Sequence, residues 1–399
     1  MSSWRHHDEL QLCAAPAVLP IALIAPPVLK EEFPQRPQPR PNMPPIRLTE
    51  AIWEWCFVEE ERGGLQWLSE ILRNGHRVDF TTLSQSNDTT PMHLAFGLGR
   101  KNSVLFLENF GGVRLNMRVI EGRSYDDYLT MLSYVDANLE ERLELVDILI
   151  ARQFPFNGRY GPRQTNILGV LLQKNAPQGQ LDRQKEFAIP CVMKLLAANV
   201  VDVNASIEYD AGADYYGFTP LMYAVQQIYD EAVDLLFEDS RLNINATSLR
   251  GGTALMTACH VWAFNGNYAV RIMVKGANVN AQMNADVTAH ITALHILLRI
   301  GALMYPRNFN SERTTDFKNI LTQMKRSGVD TSIKNKDGFT AMDVAENVFK
   351  NSADTERATV HWSNFKKMVT LALGEREKDN GEEEEDEQIK RRKIAAAIN

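Results

Sequence analysis

Two stretches of this chain begin alike, 34 residues apart, and that recurrence restricts the fold more than any other feature. In the first, Thr219 offers a hydroxyl to an orphan backbone N–H, and Pro220 occupies the first helical position at no cost in hydrogen bonds. Leu221, Ala224 and Val225 recur at helical spacing, Gln226–Asp230 is a polar break, and Ala232, Val233, Leu235 and Leu236 form a second apolar stripe. The stretch closes on an extended connector, Leu242–Asn245. The second copy runs Gly252-Thr253-Ala254-Leu255-Met256-Thr257-Ala258, then Ala269–Val274, then Lys275–Asn280, with Gly276 as a left-handed helix stop. Two helices this short bury too little apolar surface to stand alone, so they predict a stack of neighbours of the same shape.

Further copies supply those neighbours. Thr90-Pro91-Met92-His93-Leu94-Ala95 and Thr292-Ala293-Leu294-His295 open units, as do Thr165–Leu168 and Asp337–Met342; Tyr128–Leu132 reads as a further first helix, and Thr49 to Leu72 as an N-terminal capping pair. These units resemble the ankyrin-repeat family, whose signature is a Thr-Pro-Leu-His-x-Ala start and a Gly-Ala-x-x-Asn finish. The resemblance implies an all-α ankyrin-repeat solenoid of about eight helix-turn-helix units over residues 47–373. A disordered proline-rich segment, 1–46, is expected before it, and a disordered tail, 374–399, acidic and then basic, after it. Extra residues at 173–187, 300–316 and 346–361 are expected between the two helices of a unit, along one edge of the stack.

The resemblance assigns His93 and His295 a structural bond to the threonine three residues before. Cys259 and His260, being adjacent, point to different helix faces and do not suit a nucleophile–base pair. Asp343 reads as a solvated position of the last unit. The four cysteines, Cys13, Cys56, Cys191 and Cys259, have neither zinc nor disulfide spacing and fit a reducing compartment. No catalytic, cofactor or metal residue is expected. A net charge of −7 argues against direct nucleic-acid binding. The apolar run 14–29 lacks a basic leader and is broken by proline, and no other run approaches a membrane span.

The function implied is therefore a non-enzymatic scaffold, binding another protein through first helices and inter-unit loops. Tyr215, Tyr216, Phe218, Tyr223, Arg250 and Phe339 are the expected contacts. The acidic run Glu382–Glu387 behind the repeats is similar in layout to the IκB-type inhibitors of Rel-type transcription factors; a ubiquitin-ligase substrate adaptor is the other alternative. Lys390, Arg391, Arg392 and Lys393 fit a nuclear import signal, which together with the cysteines places the chain in cytoplasm, nucleus or both. Asn204, Asn245 and Asn280 are expected to hold their turns through backbone bonds, and resemble ankyrin asparagines modified by 2-oxoglutarate-dependent hydroxylases. Capped ends favour a monomer.

Overall fold

The structure, a computed structural model, describes residues 46–374 except 47, 60–61, 81–89, 112, 114–131, 133–134, 136, 158–165, 173–180, 207–216, 264, 284–289 and 352–354. The segments 1–45 and 375–399, with the import cluster Lys390–Lys393, lie outside the described residues. Helices follow in pairs: α1 (Glu50–Val58) with α2 (Gly64–Arg73), and α3 (Pro91–Gly97) with α4 (Lys101–Phe106), which runs on as a π-helical turn, Leu107–Gly111. Next comes α5 (Leu139–Ala151) in the place of a second helix; its expected partner, Tyr128–Leu132, is outside the described residues except for Leu132. The pairs then continue as α6 (Ile167–Leu171) and α7 (Leu181–Ala197), α8 (Pro220–Gln226) and α9 (Asp230–Glu238), α10 (Ala254–Val261) and α11 (Asn267–Val274). Last are α12 (Ala293–Asn308) with α13 (Ser311–Arg326), and α14 (Ala341–Lys350) with α15 (Thr355–Leu373). This is an all-α stack of helix-turn-helix units.

The first helices start where they do because of their caps. Thr90, Thr219, Thr253, Thr292 and Thr340 are extended, and each side-chain oxygen accepts the N–H three residues on. One such cap contributes about 1 kcal/mol. In α6 the cap is Asn166, whose Oδ1 accepts from Gly169 N at 2.8 Å, one residue beyond the Thr165 expected from sequence. First helices pack in a row, α8 on α10, α10 on α12 and α12 on α14, while second helices pack as α5 on α7, α11 on α13 and α13 on α15. With a neighbour on either side and its own partner α9 behind it, α8 is buried at every position from Pro220 to Val225.

Among the described residues the extra segments extend helices and form no looped edge; 173–180 and 352–354 lie outside the described residues. Residues 300–308 lengthen α12, and 311–316 are the first turns of α13, started by Asn310, whose Oδ1 accepts from Arg313 N at 2.8 Å. Likewise α15 begins at Thr355 and α7 at Leu181, well before the apolar stripes that mark them in sequence. The longer C-terminal helices enclose a cluster of rings. Phe317 contacts Trp262 at 5.1 Å, Phe309 at 5.4 Å and Phe365 at 5.6 Å between centroids, and Tyr305 and Phe349 close on Phe365 at 5.4 and 5.6 Å. Gly301 makes room for it: a Cβ there would sit 2.7 Å from the Phe317 ring. Burying each such ring is worth about 2–3 kcal/mol.

Candidate interaction surface

Between units the chain makes short turns that lead into the first helices. One is closed by an antiparallel bridge between Thr247 and Thr253, with Ser248 N donating to Gly252 O at 2.8 Å and Gly252 N to Ser248 Oγ at 3.0 Å. Another is closed by Lys334 and Thr340; there Asn335 Oδ1 accepts from both Asp337 N and Phe339 N at 3.0 Å. Between them, Met283 N donates to Ile291 O at 3.0 Å across a third turn whose middle, 284–289, is outside the described residues.

These turns hold side chains outward. Leu249 is 54% exposed and Phe339 42%, and Arg250 is exposed beside Leu249. Leu249 rests on the preceding turn at Gly217, where φ is +74° and a Cβ would lie 2.5 Å from its Cγ. Phe218, half-buried, follows at once. Tyr215 and Tyr216 lie outside the described residues. Tyr223 requires a correction: at 2% exposure it is a packing residue of α8, not a contact.

The histidines take the places the family resemblance implies. Thr292 Oγ1 and His295 Nδ1 are 2.8 Å apart, and Nε2 reaches Phe339 O at 3.2 Å. A carbonyl only accepts, so Nε2 carries the proton and neutral Nδ1 accepts from Thr292. His295 thereby ties α12 to the turn of the next unit, and burial holds its pKa below the ordinary value. His93 bonds Thr90 at the same 2.8 Å. Asp343 is not simply solvated. Its Oδ2 accepts from Thr340 N and Oγ1 at 2.8 Å each, filling the role that His93 and His295 have in their own units, and these bonds lower its pKa.

Asn204, Asn245 and Asn280 do more than hold their own turns. Asn204 Nδ2 donates to Arg241 O and its Oδ1 accepts from Asn243 N, both at 2.8 Å, in the next connector. Asn245 repeats this with Gly276 O at 3.4 Å and Asn278 N at 2.7 Å, and Asn280 with Gly328 O at 2.9 Å and Asp330 N at 2.8 Å. Asn157, which the sequence pattern did not single out, accepts from Asp202 N at 2.8 Å one unit earlier. A signal was present, since the residue whose N–H donates to each stitch, Asp202, Asn243 or Asn278, stands two residues before the next stitching asparagine. Arg241 adds a clamp: its guanidinium holds Asp239 and reaches back to Leu196 O and Val201 O at 3.3 Å, lowering the Asp239 pKa.

Among the described residues no group of three or more His, Cys, Asp or Glu side chains could hold a metal ion. Burial pushes the Cys259 thiol far up and the Cys56 thiol to about 11, so both are protonated packing groups. A shallow recess of about 430 Å³ lies among second helices, where Lys194 is paired with Asp147 at 2.7 Å. Among the described residues no helix is long and apolar enough to cross a membrane.

No protein-family model and no curated protein matches the sequence. Among solved structures, an ankyrin repeat domain from Acinetobacter baumannii AYE is 18% identical, covering 59% of this chain and 94% of its own, with a TM-score of 0.40. The ankyrin repeat domain of Bcl-3, described as a unique member of the IkappaB protein family, is 22% identical, covering 66% and 99%, with a TM-score of 0.42. The fold described here rests on the caps, turns and helix rows of this chain and not on those likenesses.

Proposed function

We propose that this chain is a protein-interaction scaffold whose recognition surface is the row of inter-unit turns, with Leu249, Arg250 and Phe339 as principal contacts. The observation that supports this is the exposure of Leu249 and Phe339 on turns closed by backbone bonds and seated on capped helices. Large apolar side chains held rigidly in water lose little conformational freedom when a partner covers them. Affinity capture with the full chain, beside a Leu249→Asp, Phe339→Asp double variant, tests the reading. Partners lost with the variant, while its helical circular dichroism is kept, support it. An unchanged set of partners overturns it.

A second reading makes the partner a transcription factor. It is favoured by the acidic run Glu382–Glu387, which suits opposition to a basic DNA-contacting surface. Deleting 382–387 is then expected to weaken binding and flatten its salt dependence; binding insensitive to both refutes it.

A further inference from the structure

A stack of helical units needs a polar outer face at each end, because the last unit has no neighbour to cover it. Both ends of the described stack depart from this. On α1, Trp53, Cys56 and Phe57 turn inward, while the opposite face shows Ile52, Val58 and Trp55, the last 49% exposed. Trp67 of α2, also exposed, meets Trp55 edge-on with centroids 5.8 Å apart. At the other end α15 buries Ala358, Phe365 and Val369 and leaves Val360 and Leu371 outside, 59% and 65% exposed. The spacing of 360, 367 and 371 sets both on one helical stripe with Lys367.

The two ends differ in charge. Around the tryptophans the exposed acids Glu50, Glu54 and Glu70 outnumber the exposed bases Arg73 and Arg77, and Arg62 is already paired with Glu59 at 3.3 Å. Beside Val360 and Leu371 stand the exposed Lys366 and Lys367. We propose that the acidic, aromatic end of one copy seats on the basic, aliphatic end of the next, so that the chain associates head to tail with itself. A two-fold dimer through either end would set like charges against each other. The head-to-tail contact matches charge and apolar surface together, and differs from the monomer expected from sequence.

Sedimentation velocity of the full chain over rising concentration tests this. Species above the 45.1 kDa of one chain are expected to grow with concentration and recede as salt is raised. Trp55→Ser and Val360→Ser, both at exposed positions, are each expected to weaken association about tenfold. K366E/K367E and E54K/E70K are each expected to be monomeric alone. Their equimolar mixture is expected to associate again, because the unaltered acidic end of the first meets the unaltered basic end of the second, and the two altered ends complement each other as well. A single species of 45.1 kDa at every concentration, association that survives both charge variants, or a mixture that stays monomeric overturns the proposal.

Discussion

Replacing His295 with alanine cuts a bond between units and a bond within one. His295 and Thr292 are each 3% exposed, so the Thr292 N–H that donates to Nδ1 at 3.3 Å is left buried without a partner. That orphaned donor costs about 1–2 kcal/mol, and the lost Nε2–H bond to Phe339 about 1 kcal/mol more. A destabilisation of about 2–3 kcal/mol at pH 7.5 follows, and it carries a pH signature. Burial holds the folded imidazole's pKa below its ordinary 6.5. Below pH 6.5 the unfolded chain therefore binds a proton at this site that the folded chain does not. The stabilisation is complete above that pH and is lost as pH falls, at up to about 1.4 kcal/mol per unit, until the folded imidazole itself titrates. Urea unfolding of the parent and the variant from pH 7.5 to 5.0 reads the difference, in which the other histidines cancel. The difference is expected to shrink below pH 6.5. A constant difference, or one that widens in acid, refutes the argument.

Three further outcomes follow from the packing. Gly301→Ala drives a methyl to 2.7 Å from the buried Phe317 ring, and is expected to cost about 1–3 kcal/mol, read as a lower thermal midpoint. Asn204→Ala removes both bonds to the next connector and is expected to cost about 1–2 kcal/mol in urea, with Asn204→Asp, which sets a carboxylate oxygen against Arg241 O, costing at least as much. Cys56 and Cys259 are expected to resist iodoacetamide at pH 8 in the folded protein and to react on unfolding, followed by peptide mass spectrometry.

Much of this architecture can be read before any coordinates, because capping is local chemistry. A threonine hydroxyl reaches only the N–H three residues on, so Thr219, Thr253 and Thr292 mark helix starts wherever they precede an apolar run. Where second helices begin is less legible. The stripe in α13 is apolar only from Phe317, yet its polar first turns, Ser311–Asp316, are helical because Asn310 caps them and the ring cluster needs their length. Tyr223 was misread for a related reason. A helix flanked on both sides buries positions that a one-sided amphipathic pattern would leave in water. Asp343 replaces a histidine by hydrogen-bonding role and not by residue type, which sequence similarity does not register.

The asparagine stitches have an evolutionary corollary. Each addresses the next connector only through a main-chain carbonyl and a main-chain N–H, groups that almost any residue supplies. The joint therefore places no demand on the side chains of the unit it grips. A unit carrying its own asparagine can be duplicated, lost or exchanged without a matching change next door, and the side chains of neighbouring turns are left free to diverge toward different partners.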